Sequence, residues 1–259
     1  MTPTVVFLHS TGLGPFMWSP YQALPGEATV LTPFNRGYAP GDEVRRPDQV
    51  RVAEDVAALS SQLADVEGDL HLVGHSYGGL LALELARQQP DRVKSLYLYE
   101  PVVFAALRAR ADEIDPAAAA DVRQLYSDAS FFDDDVNGGD ETWLQRFIDY
   151  WNGPGAWQAM GERARAAMRR VGWKMHLEVK SVSVDARPFE AYRLPMPVTL
   201  VAGERSPATA REMARLLAAE LTGATLHALP GAGHMSVLDR ADAVGPTMAA
   251  HFKRVLQPR

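Results

Sequence analysis

Cysteine is absent from the 259 residues. The chain therefore has no disulfide, no thiolate metal site and no cysteine nucleophile, which fits a reducing compartment. No apolar stretch reaches the roughly 20 residues that span a bilayer. The first apolar run, "TVVFLHS", is not preceded by the basic segment, apolar segment and cleavage site of a secretory signal. These absences predict a soluble, cytoplasmic protein.

Basic residues are also fewer than acidic ones, with 26 lysines and arginines against 32 aspartates and glutamates. The formal net charge is −6, which disfavours nucleic acid and anionic membranes as partners. A small-molecule substrate is the partner that we expect. The sequence says nothing of the oligomeric state.

Short apolar runs rich in β-branched residues alternate with segments of helical spacing, a pattern typical of parallel βαβ units. The expected strands are Val5–Leu8, Thr29–Leu31, Leu70–Val73, Ser95–Tyr99, Val198–Val201 and Thr225–Ala228. Helices are expected at Val50–Val66, Leu80–Gln89 and Ala208–Leu221. Since the strands are continuously apolar, both faces of the sheet should be covered. The sequence predicts an α/β fold with a mostly parallel sheet of about six strands and helices on both faces.

The pattern changes between Pro101 and about Leu194, where strand signals vanish and helical segments dominate. Four of the five tryptophans fall in this stretch: Trp143, Trp151, Trp157 and Trp173. We expect residues 1–100 and 195–259 to form the core domain. Residues 101–194, called the insertion below, should form a helical insertion between two strands of the sheet.

The stretch "LHLVGHSYGGLLALEL" predicts a strand, a tight turn and a helix, with Ser76 at the turn. Gly74 and Gly78 allow a strained backbone and a close approach of strand and helix. The serine hydroxyl would project at the carboxyl end of the sheet, where such sheets bind ligands. The positive end of the following helix could stabilise a developing oxyanion.

A serine hydroxyl is a poor nucleophile until a base takes its proton. The best-placed base is His234, in the glycine-rich "LPGAGHMSVL" after the last expected strand. His75 adjoins Ser76, but its side chain should point to the other side of the sheet. We therefore expect it to pack against the site rather than to act as the base. His71 and His75 have the spacing of zinc ligands on a helix, yet they lie in a strand and turn. No metal and no organic cofactor is predicted.

Three segments together resemble the α/β-hydrolase superfamily: "HSTGLGPFMW", "GHSYGG" and "GAGHM". The resemblance covers nearly the whole chain and places the insertion where capped carboxylesterase-like members have their cap. It implies an oxyanion hole made by the backbone N–H groups of Tyr77 and Thr11, although Ser10 stands where the family usually has glycine. His9 comes unusually early, and so the first strands of the usual fold should be missing.

The acid of the expected triad departs from the family pattern. Ser206 occupies the usual position after the penultimate strand, and before Pro207 it is interpreted as a helix N-cap. Glu100, at the end of the strand that follows the nucleophile helix, is the predicted acid, as in some members of the superfamily. Glu204 is the alternative acid.

These residues predict acyl transfer to Ser76 and then to water, with His234 as base and Glu100 as acid. The expected substrates are small or medium carboxylic esters, lactones or related acyl compounds. Two alternatives remain open: cleavage of a carbon–carbon bond or perhydrolysis with the same triad, and a non-catalytic binding protein on a hydrolase scaffold.

Overall fold

The computed structural model describes residues 2–185 and 187–256. Its strands are β1 (Thr4–Leu8), β2 (Thr29–Leu31), β3 (Leu70–His75), β4 (Val93–Tyr99), β5 (Val198–Gly203) and β6 (Thr225–Leu229). They form one parallel sheet in the order β2-β1-β3-β4-β5-β6. The predicted sheet of about six strands is confirmed, and all of its described strand pairs are parallel. Each predicted strand matches within a few residues, and β2 matches at both ends.

Ten α-helices accompany the sheet in the part of the chain that the structure describes. They are α1 (Val52–Gln62), α2 (Tyr77–Gln88), α3 (Phe104–Ala109), α4 (Pro116–Ser127), α5 (Glu141–Asn152), α6 (Ala156–Ala159), α7 (Glu162–Val184), α8 (Ala208–Glu220), α9 (Ser236–Asp239) and α10 (Ala241–Val255). The predicted helix Val50–Val66 is shorter than expected, because the chain enters a turn at Leu63.

Alternate residues of the strands pack on opposite faces of the sheet. Val6, Leu72 and Leu98 belong to the larger core, which contains side chains of α1, α2 and α8. Val5, Val73 and other side chains of the opposite face pack with α10 and the 3₁₀-helix Pro15–Tyr21. Both faces of the sheet are therefore covered, as its continuously apolar strands predict.

Every helix between β4 and β5, from α3 to α7, lies in the insertion. α5 shows why this segment is helical. Asp140 caps its first turn by accepting a hydrogen bond from the Trp143 backbone at 2.9 Å. Its buried side chains recur every three or four residues, from Trp143 through Phe147 to Trp151. The division of the chain into a core domain and a cap stays a prediction.

Candidate active site

Ser76 lies between the last residue of β3 and the first residue of α2, with φ 55° and ψ −118°. Within residues 2–185 and 187–256, only Ser76 and Glu100 are non-glycine residues with positive φ, and Glu100 has φ 45°. Positive φ is costly for such residues, and it persists where the surrounding structure enforces it. Two residues of the predicted triad thus carry this strain.

Two glycines allow the sharp turn at Ser76. A Cβ atom on Gly74 would lie 2.5 Å from the Gly78 carbonyl oxygen, and one on Gly78 would lie 2.3 Å from the Leu8 carbonyl oxygen. Neither distance is compatible with a side chain, because the conflicting atoms belong to the backbone. The approach of α2 to β3 and β1 therefore requires glycine at both positions.

Glu100 follows β4, the neighbour of β3, and its side chain is fully buried. Oε1 accepts hydrogen bonds from the Gly203 backbone at 2.6 Å and from the Ser206 hydroxyl at 2.5 Å. Oε2 accepts a hydrogen bond from Nδ1 of His234 at 2.6 Å. A buried carboxylate is costly unless it is hydrogen-bonded, and both oxygens of this one are.

The interpretation of Ser206 as a helix N-cap is wrong. The N-cap of α8 is Pro207, and the Ser206 hydroxyl donates to Glu100 instead. The alternative acid, Glu204, is exposed to solvent two residues earlier. Of the two carboxylates, it is Glu100 that contacts the imidazole of His234.

His234 lies in the loop after β6 and is buried between two rings. The Trp151 indole stacks on its imidazole with ring centroids 3.9 Å apart, and the centroid of the His75 ring is 4.7 Å away. His75 donates a hydrogen bond from Nε2 to the His234 carbonyl oxygen at 2.9 Å. Burial holds the pKa of His75 well below its usual range. His75 is a neutral support for the loop that carries His234.

Ser76 and His234 line the same cavity, which has a volume of about 550 Å³. Within the described ranges, no direct hydrogen bond joins the Ser76 hydroxyl to His234. Such bonds are often long before substrate binds. The walls are mainly apolar and include Leu13, Phe147, Ile148, Trp151, Met160 and Met168. At the rim, Phe16 and Leu238 are exposed to 61% and 41%.

Thr11, in the loop after β1, lines the same cavity as Ser76. Among the residues that the structure describes, neither the Thr11 nor the Tyr77 backbone N–H donates to a protein acceptor. The next N–H, that of Gly12, donates to the Tyr38 hydroxyl at 2.9 Å. Asn35 fixes the start of this loop through its amide, which donates to the His9 carbonyl at 2.9 Å. In the described part of the chain, the N–H groups of Thr11 and Tyr77 therefore remain without a protein acceptor.

Sequence reasoning missed three buried charged residues beside this loop. Asp55, Lys174 and Glu178 are each at most 2% exposed, and Lys174 forms ion pairs with both acids. Lys174 and Glu178 are four residues apart on α7, a spacing that is typical of solvent-exposed pairs. The sequence therefore carried no signal that they are buried.

The chain matches the model of the Alpha/beta hydrolase family over residues 5–246. It belongs to that family and is an enzyme of the hydrolase class. The pimeloyl-[acyl-carrier protein] methyl ester esterase of Chromobacterium violaceum is 28% identical over 97% of this chain and 94% of that protein. The enzyme of the same name from Aromatoleum aromaticum is 40% identical, over 37% of this chain and 36% of its own length.

Among solved structures, the enol-lactonase from Burkholderia xenovorans LB400 has a similar fold. Its TM-score is 0.64 at 20% sequence identity, over 98% of this chain and 92% of that one. At this identity the likeness concerns the fold. In the described ranges, no helix combines the length and apolarity needed to cross a membrane.

Proposed function

We propose that this protein is a serine hydrolase of small or medium carboxylic esters, lactones or related acyl compounds. One observation carries the proposal. The buried carboxylate of Glu100 is hydrogen-bonded to His234, and His234 lines one apolar cavity together with Ser76. A carboxylate, an imidazole and a hydroxyl at one rim of a sheet are the parts that acyl transfer to serine requires.

In this mechanism, Nε2 of His234 takes the hydroxyl proton as Ser76 Oγ attacks the substrate carbonyl carbon. Glu100 holds the tautomer with the proton on Nδ1 and stabilises the imidazolium that forms. The negative charge that develops on the carbonyl oxygen is stabilised by the N–H groups of Tyr77 and Thr11. Collapse expels the alcohol, which receives the proton from His234. Water activated by His234 then releases the acid from Ser76.

The substrate class follows from the walls of the cavity and from the relatives. An apolar cavity of about 550 Å³ fits an uncharged organic group better than a charged one. The names of two relatives refer to a methyl ester esterase, and the name of one structural neighbour refers to an enol-lactonase. Ester and lactone hydrolysis share the same attack on an acyl carbon.

A fluorophosphonate probe tests the nucleophile directly. We expect the folded wild-type protein to be labelled, with the adduct on Ser76, and Ser76→Ala to remain unlabelled. The wild-type protein should then be assayed with aryl esters, alkyl esters, lactones and dienoic diketones, and with esters in the presence of hydrogen peroxide. We expect turnover of esters or lactones, and we expect Ser76→Ala to lose it. An unmodified Ser76 in folded protein, or full turnover by the alanine variant, would contradict the proposal. Turnover of the diketone alone would indicate carbon–carbon bond hydrolysis.

A further inference from the structure

A second, much smaller cavity lies beside Ser76. Its volume is about 20 Å³, and Ser76, Thr11 and Tyr77 contribute to its walls. A space of this size accommodates one water molecule or one small polar group. Most of the remaining walls are apolar: Val102, Phe104, Phe131, Phe147, Val179 and Val182. The cavity therefore adjoins both the nucleophile and the proposed oxyanion donors.

Glu178 is the one carboxylate in these walls. Its side chain is fully buried, and Oε2 accepts a hydrogen bond from the Tyr38 hydroxyl at 2.8 Å. The other oxygen, Oε1, forms an ion pair with Nζ of Lys174 at 3.3 Å that lacks the geometry of a hydrogen bond, and among the described residues the Thr11 side chain also lies close enough to the carboxylate to lower its pKa. A buried carboxylate oxygen without a hydrogen bond is costly, and it is the group to which an incoming donor would bind.

The two cavities differ in their relation to His234, and this difference assigns them to the two halves of an ester. His234 lines the cavity of about 550 Å³ but is absent from the walls of the small one. Because the departing alcohol must receive its proton from His234, the alcohol half belongs in the large cavity. The acyl half then points into the small cavity, towards Glu178.

The charges around Oε1 select the kind of donor. Lys174, at 3.3 Å, disfavours a substrate ammonium group, and the Glu178 carboxylate disfavours a substrate carboxylate. A neutral hydroxyl is small enough for the cavity and can donate to Oε1. Burial raises the pKa of Glu178 to about 7, although Lys174 opposes the effect. At pH 8 the side chain is therefore mostly ionised and accepts hydrogen bonds.

We propose that Glu178 determines specificity for the acyl group by accepting a hydrogen bond from a hydroxyl on a short acyl chain. The substrates would then be esters or lactones of small 2- or 3-hydroxy acids. This inference rests on the proposed function. It deepens that function by naming the acyl half of the substrate.

The test compares matched pairs of esters at pH 8: hexyl 3-hydroxybutanoate with hexyl butanoate, and hexyl lactate with hexyl propanoate. The ratio of kcat/KM within a pair cancels effects on the nucleophile and base. A hydrogen bond to a charged group contributes about 1.5–3 kcal/mol, which predicts a wild-type preference of roughly 10- to 100-fold in at least one pair. A ratio near one in both pairs would overturn the inference.

Two variants assign the preference to Glu178. Glu178→Gln retains the shape but not the charge, and we expect its ratio to fall several-fold. Lys174→Met combined with Glu178→Leu removes the acceptor without leaving an unpaired buried lysine, and its ratio should approach one. Glu162→Gln, on the exposed side of the same helix, should retain the wild-type ratio. Should the double variant fail to fold, Glu178→Gln decides: an unchanged ratio would overturn the inference.

The same assays separate this inference from the proposed function. If the wild-type protein hydrolysed the plain and the hydroxylated esters with equal efficiency, the proposed role of Glu178 would be wrong. The proposal that the protein is a serine hydrolase would still stand. Failure of the wild-type protein to hydrolyse any ester, together with an unlabelled Ser76, would overturn both.

Discussion

Ser206 donates its hydroxyl hydrogen to Oε1 of Glu100 across 2.5 Å, while the other oxygen of that carboxylate accepts from His234. Ser206 stands where the family usually carries the acid. Here the carboxylate extends from β4, and the residue after β5 helps to hold it. Glu100 therefore supplies the negative charge, and the hydroxyl of Ser206 helps to orient the carboxylate that carries it.

Glu100→Gln should lower kcat by about 10³- to 10⁴-fold with little change in KM, because the amide removes the charge that stabilises the imidazolium. Steady-state kinetics on an aryl ester would measure the loss. The matched control is Glu204→Gln, in an exposed side chain of the neighbouring loop, which should be nearly as active as wild type. A larger loss in Glu204→Gln than in Glu100→Gln would assign the acid to Glu204.

Two substitutions of Ser206 test its support of Glu100. Ser206→Ala removes one of the hydrogen bonds to a charged acceptor and should lower kcat about 3- to 30-fold. Ser206→Asp places a second carboxylate beside Glu100, and like charges raise the apparent pKa values of such a pair. On acidification, the activity of Ser206→Asp should therefore begin to fall at a higher pH than the activity of the wild-type protein does. Coincident pH–rate profiles for Ser206→Asp and wild type would contradict this prediction.

Trp151 should assist His234 through the stacking of their rings at 3.9 Å. An aromatic face stabilises a cation, and the imidazole becomes cationic as the serine is deprotonated. Trp151→Ala should lower kcat about 10-fold, and Trp151→Phe should retain most of the activity. The control is Trp173→Phe, a half-buried tryptophan of α7 outside the cavity walls. Equal kinetics for the Ala and Phe variants would show that the aromatic face is dispensable.

Gly12→Ala should impair activity strongly, because Gly12 has φ 77° and lies in the loop of Thr11. The added Cβ would lie 2.8 Å from Cε of Met175 and 2.9 Å from Sδ of Met168. Strain of about 1–3 kcal/mol at this loop predicts a loss of roughly 10- to 100-fold in kcat/KM. Gly14→Ala is the control, since its nearest atom is 3.5 Å away. Similar kinetics for the two variants would contradict the prediction.

Stability should fall as the pH drops below 6.5. Burial lowers the pKa of His9 to about 4 and that of His251 to about 3 in the folded protein. Below pH 6.5 the unfolded chain binds protons at these residues while the folded protein does not, and so unfolding becomes more favourable. Each group contributes on the order of 1 kcal/mol per pH unit until its folded pKa is reached.

Urea unfolding at pH 6.5 and pH 5 would measure this effect on the free energy of unfolding. His251→Gln should show a shallower decline between the two pH values, because one of the buried histidines with a lowered pKa has been removed. If the free energy of unfolding declined equally in the variant and in the wild-type protein, His251 would not contribute to the pH dependence of stability.

The fold and the pairing of the main site residues could be predicted because their signals are local. Each strand is a short apolar run, and Ser76 is flanked by the glycines that its turn requires. Glu100 is predicted as the acid from its position at the end of the strand that follows the nucleophile helix. Carboxyl ends of neighbouring parallel strands meet at one rim, which places it within reach of His234.

The remaining features depend on how distant segments pack together. Asp55 and Lys174 are 119 residues apart, and Trp151 reaches His234 from the insertion. The hydroxyl of Ser206 could be assigned to Glu100 only once β4 and β5 were known to be neighbours. None of these contacts leaves a periodic pattern in the sequence.

The position of Glu100 directly after β4 also bears on the order in which the molecule can assemble. Ser76 and Glu100 are both synthesised before the donors to Glu100, which follow it by 103, 106 and 134 positions. Until those donors are present, the Glu100 carboxylate has none of its hydrogen bonds to the folded protein and must remain solvated by water. The segment up to Glu100 therefore cannot complete this rim by itself, and the carboxylate can be enclosed only after residues 203–234 have been synthesised.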